Sequence, residues 1–482
     1  MVRDHPHGGP WALAMAARDR LSPLDRSFLQ VETPTAHMHV AARARFEPAP
    51  GAPPVTLARV RELVLSRLHA GPRFRQRLAF PPGGISAPVW VDDPAFDVRA
   101  HVLALGAPGK PLSRARFAAL ADAVLSEPLD RARPLWRIHL APRLEDGTVG
   151  LVLKAHHAMV DGLSALALGM LLLDMRPDAV EPEPAAAWTP DPVPGTVRLA
   201  VDALADYGAE SLRAARSAVR AVGTARRIGD TVRRTALAIE ADVLRPAPSS
   251  YLNAGIGPRR RLAGHRAELG ELLAVRAARG TTLNDVALTV VAGALRELAM
   301  AHGTVPTPLK AMVPVNRRAE AADGTPGNRI AFVSVTLPLH VRAPLKRLDD
   351  VAAQTRAFKA SGRAAASESI LGALGLLPPL LQDAAARFAA SARAYNLVVS
   401  NVPGPRVPVY LLGARLIEAY PVVPLSDGHA LSVGMLSLSD ALCVGAYWDP
   451  ESLPQAERLP DALARSTLDL IRAAARRTSR AA

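Results

Sequence analysis

Hydrophobic and polar positions change period many times along this chain, and each change marks an element boundary. Residues 21–31 (LSPLDRSFLQV) mix apolar and polar positions as a short helix or turn does. Residues 38–46 alternate, which predicts a strand, whereas Leu57, Val60, Val64 and Leu68 fall on one face of a helix. The Pro/Gly-rich PPGGISAP is a turn, and VWVDDPAFDV after it is a strand with its exit. A helix follows over 113–125. Two strands, 137–142 and 149–155, flank LEDGT, whose Asp-Gly pair signals a hairpin. The apolar run 163–175 reads as a buried helix, too short to span a bilayer.

Residues 176–197 hold many prolines and read as an exposed linker. Residues 198–244 hold no proline and repeat Arg with Ala, Val and Leu at helical spacing. They predict one or two long basic amphipathic helices, bridging two domains or lying on a membrane surface. The alternation then restarts. Helices are predicted over 268–279, over 281–300 with its cap among 281–284, and over 345–361, with a further apolar segment at 372–381. Strands are predicted at 309–315, 330–337 and 397–400, the last closed by NVPGP. A hairpin, 431–437 with 441–447, turns at LSD, and 460–475 forms a final helix with an arginine-rich end.

Both halves therefore mix strand and helix, with no short-period repeat. The fold class is α/β, in the mixed α+β sense, and the length of 482 residues exceeds one ordinary core. The expected division is a flexible extension (1–20), an N-terminal domain (21–180), a Pro-rich linker with basic helices (181–250) and a C-terminal domain (251–482).

Composition narrows the function classes. The net charge of +14 comes almost wholly from arginine spread through the chain. No basic run interleaves with aromatics and no zinc-finger spacing occurs, so nucleic acid is not an expected partner. The positive field still favours an anionic partner, such as a phosphate-bearing cofactor or an acidic membrane surface. A single cysteine, Cys443, excludes a disulfide framework and fits a cytoplasmic setting. It sits in an apolar strand with no flanking charge, which suits core better than nucleophile. No signal peptide is recognisable at the N-terminus.

The chemistry-bearing stretch is HHAMVDG at 156–162, where an apolar strand runs into two histidines. A neutral imidazole, with a pKa near ~6.5, takes up a proton and returns it at working pH. Such a base needs its other nitrogen held by a partner. Asp161 supplies one if the chain turns back, and Gly162 permits that turn. Two other readings stand beside this one. A zinc site needs three or four ligands, and neither a nearby Cys nor the distant HMH at 37–39 completes one. A strand end with a structural Asp-Gly turn accounts for the motif equally well. Covalent catalysis lacks a G-x-S-x-G elbow.

HHAMVDG matches the HHxxxDG signature of the CoA-dependent acyltransferase superfamily, and its surroundings resemble the bacterial wax ester synthase/acyl-CoA:diacylglycerol acyltransferase family. The similar segments are LSPLDRSFLQVETPTAHMHV (21–40), PLW (134–136), LNDVALTVVAGALR (283–296), MVPVNRR (312–318), GNRIAFVSVTLP (327–338) and SNVPGP (400–405) with GAR (413–415). They keep the family's order over roughly residues 21–475. Asn316 departs from the family pattern, which has a small Ser there in many relatives. The resemblance implies two domains of the CoA-dependent acyltransferase type, each a mixed sheet flanked by helices, facing each other across a channel.

The resemblance also implies an activity. A fatty acyl-CoA, as substrate rather than cofactor, donates its acyl group to diacylglycerol or to a long-chain alcohol. His157 is implied as general base, with His156 or nearby backbone N–H groups meeting the oxyanion. Asp161 is implied to hold the loop, its competing role being an Arg salt bridge, and Gly162, Asn284 and Asp285 complete the motif set. For Asn284 and Asp285 a substrate-channel role and a helix N-cap are equal alternatives. Trp136 is expected to pack, and SNVPGP to shape a crossover loop. No metal and no other cofactor is expected. Such acceptors are insoluble, so the expected place is the cytoplasm, peripherally attached to the inner membrane face or to lipid droplets. The alternatives are a carrier-protein-dependent condensation-type enzyme and a non-catalytic lipid-droplet-binding protein.

Overall fold

The computed structural model describes residues 21, 23–84, 87–159, 169, 172–178, 188–205, 208, 246–316, 330–360, 387–388 and 390–481. Asp161, Gly162, the extension 1–20, nearly all of 160–171, most of 198–244 and the apolar segment 372–381 lie outside the described residues.

In chain order the elements are α1 (Pro23–Val31), β1 (His39–Glu47), α2 (Leu57–Arg67), β2 (Gln76–Ala79), β3 (Val89–Asp92), β4 (Val102–Ala104), α3 (Arg114–Ser126), β5 (Trp136–Ala141) and β6 (Val149–His156). The second half adds β7 (Arg261–Glu268), α4 (Leu269–Arg279), α5 (Leu283–Ala301), β8 (Leu309–Asn316), β9 (Ile330–Leu337) and α6 (Pro344–Ala360). It ends with β10 (Leu397–Val402), β11 (Tyr410–Leu411), β12 (Ala414–Val422), β13 (Leu431–Ser437), β14 (Ala441–Trp448) and α7 (Leu459–Ala481). The mixed α/β class and the flanked sheets agree with the sequence expectation.

Two six-stranded sheets carry the fold, in the orders β11-β12-β1-β6-β5-β4 and β7-β14-β13-β10-β8-β9. The expected hairpins are present: β5 pairs antiparallel with β6, and β13 with β14. Local chemistry starts the helices where expected. Thr56 caps α2 and Ser113 caps α3, each side-chain oxygen accepting an N–H of the first turn. Gly280, at φ 58°, closes α4 in the left-handed conformation that glycine adopts without Cβ strain.

Several strands escape the periodicity argument. β7 (RLAGHRAE) and β12 (ARLIEAYPV) are half-buried and rich in Arg and Glu, so neither alternates cleanly. Both are held by neighbours. β14 is buried at every position, and β7 pairs with it along its full length. β12 pairs with β1, so residues 410–422, from the second half of the chain, complete the first sheet. A tight turn starts this crossover, with Leu412 at φ 48° and Gly413 at φ 85°. Positive φ at both central residues is the requirement of a two-residue type I′ hairpin.

The crossed-over strand is also where the two sheets meet. Gly434, Gly445 and Gly264 lie in register across β13, β14 and β7. A Cβ at Gly434 would stand 2.6 Å from the Pro421 carbonyl oxygen, one at Gly445 2.9 Å from the same atom, and one at Gly264 2.4 Å from the Tyr420 ring. A row of glycines within strands marks a close backbone approach. Polar links extend the seam. Arg43 donates to the Leu262 carbonyl at 2.8 Å, Arg266 to that of Ile417 at 3.2 Å, and the Leu262 N–H to Asp122 at 2.9 Å. Burial pushes the Asp122 carboxyl up to about 6, against the lowering pull of the Leu262 N–H, Arg43 and Arg261.

Candidate active site

The two histidines stand where β6 ends. β1 and β6 run antiparallel with His39 opposite His156, and the chain then turns at 157–159. Three backbone bonds fix this exit. The His156 N–H donates to the Leu135 carbonyl at 2.9 Å, the His157 N–H to that of Met38 at 2.7 Å, and the Met159 N–H to that of His156 at 3.0 Å. Leu135 belongs to PLW, so that segment abuts the histidines through its backbone. Trp136 itself is fully buried, donates its indole N–H to the Phe74 carbonyl at 2.8 Å and stacks on His101. It packs, as its sequence context suggested.

The adjacent histidines have different surroundings. His156 is buried, and both ring nitrogens are engaged: Nδ1 accepts the Ala158 N–H at 3.0 Å, and Nε2 lies 3.1 Å from Glu32 Oε2. Glu32 also pairs with Arg131. Burial alone would raise the Glu32 pKa, but His156 and Arg131 outweigh it, and the carboxyl sits below its ordinary value. His156 therefore has no ring N–H free for an oxyanion, and the N–H groups of residues 157, 158 and 159 are all in use. The oxyanion role that the resemblance implied for His156 and its backbone neighbours finds no free donor among these described groups.

His157 is half-buried, and its ring stacks on Phe28 with centroids 3.7 Å apart and planes inclined by 21°. Its Nδ1 is shielded without a hydrogen-bond partner. Burial dominates its electrostatics. It pushes the imidazole pKa down to about 4, helped slightly by His156 and opposed by a backbone contact of its own. The ring is therefore neutral at pH 7, the state a general base needs.

His39, deep in the same cluster, is strongly depressed by burial and then by Lys154 and neighbouring histidines. Lys154 is almost fully buried, and its ammonium donates to the carbonyls of Val124 and Glu127 at 2.6 and 2.7 Å, capping the end of α3. Burial, with Arg137 adding to it, brings its pKa down to about 8.

The second-half motif residues have specific partners. Thr282 is the N-cap of α5 and Asp285 completes a capping box: the Thr282 N–H donates to Asp285 at 2.8 Å and the Asp285 N–H to the Thr282 hydroxyl at 3.2 Å. Asp285 also accepts from the Thr355 hydroxyl at 2.7 Å. Its side chain is spent on structure, which favours the cap alternative for this residue. Thr282→Ala is expected to lower unfolding free energy by about 1 kcal/mol, seen as a lower urea midpoint; an unchanged midpoint would count against the capping box. Asn284 does something else. Its side-chain oxygen accepts from Asn401 of SNVPGP at 3.1 Å, joining two motif segments 117 residues apart. Gly404, in the same segment, lies against Ser437, where a Cβ would stand 2.1 Å from the carbonyl oxygen. Cys443 is buried and its thiol is pushed up to about 11, chiefly by burial, as befits core.

Sequence reasoning missed Glu32, Arg131 and Phe28, and weighed the orphaned His39 only as a distant metal ligand. The first, third and fourth lie in the segment 21–40 that carries the family resemblance. An acid directly after a short amphipathic helix was the visible signal for Glu32.

Comparison with known proteins places this geometry. Residues 21–287 match the family model described as the wax ester synthase/diacylglycerol acyltransferase catalytic domain, and residues 326–471 match the corresponding C-terminal domain. A putative diacylglycerol O-acyltransferase of Mycobacterium bovis is 32% identical over 458 residues, covering 94% of this chain and 98% of that protein. One of Mycobacterium tuberculosis is 33% identical over 470 residues, covering 94% and 99%. Among solved structures, the wax ester synthase/diacylglycerol acyltransferase of Marinobacter aquaeolei VT8 superposes with a TM-score of 0.67 at 28% identity, covering 95% of this chain and all of that one. The starter condensation domain of rhizomide synthetase shares the fold alone, with a TM-score of 0.58 at 15% identity. The chain belongs to the wax ester synthase/diacylglycerol acyltransferase family.

Proposed function

We propose that the protein transfers the acyl group of a fatty acyl-CoA to the hydroxyl of diacylglycerol, and to long-chain alcohols, with His157 as general base. The observation that carries this reading is the neutral, half-buried His157 at the exit of β6, in a chain of this family. The imidazole takes the acceptor's hydroxyl proton as the oxygen attacks the thioester carbonyl. The tetrahedral intermediate collapses, the C–S bond breaks, and the proton passes from the imidazolium to the departing thiolate. The products are an ester and free CoA. The oxyanion has to be met by donors other than the N–H groups of residues 157–159 and the His156 ring. Asp161 is read as holding the motif loop rather than touching substrate, and acyl-CoA and acceptor approach from opposite ends of a channel between the domains.

No described helix is long and apolar enough to cross a membrane. Because such acceptors are insoluble, peripheral contact with the inner membrane face or a lipid droplet belongs to the same proposal. The test is an acceptor and donor panel: one labelled acyl-CoA offered to diacylglycerol, monoacylglycerol and long-chain alcohols, with acyl-carrier protein as a second donor. Labelled triacylglycerol or wax ester from acyl-CoA is the expected result. Transfer from the carrier protein alone, or no ester with any acceptor, overturns the reading.

A further inference from the structure

We propose that Glu32 is a positioning residue for acyl transfer: it holds the His156 imidazole in one tautomer and so sets the turn that presents His157. This rests on the reading of His157 as the base.

A ring nitrogen that accepts a hydrogen bond carries no proton. His156 Nδ1 accepts from Ala158, so in the neutral ring the proton is on Nε2, which donates to Glu32. The opposite tautomer would put two N–H groups face to face at Ala158 and an unprotonated nitrogen against the Glu32 carboxylate. The carboxylate therefore selects the tautomer, and the tautomer selects the position of the Ala158 N–H. Ala158 is the residue immediately after His157, inside the turn 157–159.

A second observation ties Glu32 to the other histidine. Glu32 follows the last residue of α1, and Phe28 on that helix stacks on the His157 ring. One short helix and its exit residue thus touch both histidines, Phe28 by its face and Glu32 by its charge. Arg131, from the loop between α3 and β5, pairs with Glu32 from outside and, after His156, helps hold the carboxyl pKa below its ordinary value against the raising effect of burial. Glu32 itself is buried but for a small part of its side chain, so its alignment is not averaged by solvent. Nothing here brings Glu32 to the substrate. Its effect passes through His156 and the turn.

The experiment compares Glu32→Ala and Glu32→Gln in the full chain. The alanine variant is expected to lose about 100-fold in kcat, the scale of a misplaced catalytic group, with KM for acyl-CoA little changed. The glutamine variant keeps a side-chain oxygen that accepts from Nε2–H, so it is expected to recover most of that loss. Nitrogen-15 NMR of histidine-labelled protein, with His156 assigned by its own substitution, reads the tautomer directly. The expected result is an Nε2-protonated, Nδ1-unprotonated ring in the parent and in Glu32→Gln, and a mixture in Glu32→Ala. Parental kcat in Glu32→Ala, a glutamine variant as impaired as the alanine one, or unchanged His156 signals in Glu32→Ala would each overturn the proposal. Activity retained by His157→Ala would instead remove the base reading, and the NMR signals would still decide the role of Glu32.

Discussion

His157→Ala is expected to lower kcat/KM for transfer from acyl-CoA to diacylglycerol by about 10²- to 10⁴-fold, the usual contribution of a positioned general base. The fold should survive, because the ring is half-buried and its aromatic contact is the stack on Phe28. The backbone bond from residue 157 to the Met38 carbonyl does not depend on the side chain. The pH profile of the parent supplies an independent check. A base works unprotonated, and burial holds His157 near 4 instead of the ordinary value. Lowering the pKa extends the neutral form toward acid. The acid limb of kcat/KM should therefore lie near pH 4, falling about tenfold per unit below it. Full turnover in the alanine variant, or an acid limb at the ordinary histidine value with the parent still folded, would sink the assignment.

Gly434→Val is the stability counterpart. Its Cβ would meet the Pro421 carbonyl at 2.6 Å, and the obstacle is backbone rather than a flexible side-chain end. β12 cannot retreat freely, since it is hydrogen-bonded to β1 over most of its length and tied to it by the Arg45–Glu418 ion pair at 2.5 Å. Overpacking of this kind costs about 1–3 kcal/mol, and with a β-branched side chain the upper end is expected. Urea unfolding measures it. Gly270→Ala is the control: beyond its chain neighbours and its own helix backbone nothing lies within 4 Å of a Cβ there, so its stability should stay within about 1 kcal/mol of the parent. Equal midpoints for Gly434→Val and the parent would show that the sheets do not meet along this glycine row.

These two tests probe features of unequal legibility. The histidines were visible because reactive residues followed an unmistakably apolar strand, VGLVLKAH. The glycine row was invisible. Gly434 and Gly445 face each other across the predicted hairpin, but Gly264 is remote in sequence, and only the pairing of β7 with β14 brings it into line and sets the row against Tyr420 and Pro421. The same holds for β12. Its Arg, Glu and Pro residues obscure any alternation, and its partner β1 lies more than 360 residues earlier by register, at pairs such as Arg45 with Glu418. Local pattern carries no information about such a partner. Asp285 shows the intermediate case: Thr282 and Asp285 have capping-box spacing, yet the Thr355 bond that completes the environment comes from α6.

By itself the sequence determined the element types, the mixed α/β class, the place of the reactive motif at a strand end and, through the order of its segments, the family. Those properties follow from periods of two and of about 3.6 residues and from short-range capping, which act within a few residues. Tertiary structure decided which histidine is free. His156 is committed on both nitrogens by Ala158 and by Glu32, whereas His157 is kept neutral by burial and lies against Phe28. Tautomer, burial and pKa are set by groups brought together from distant positions, and within HHAMVDG only the family resemblance, not local chemistry, told one imidazole from the other.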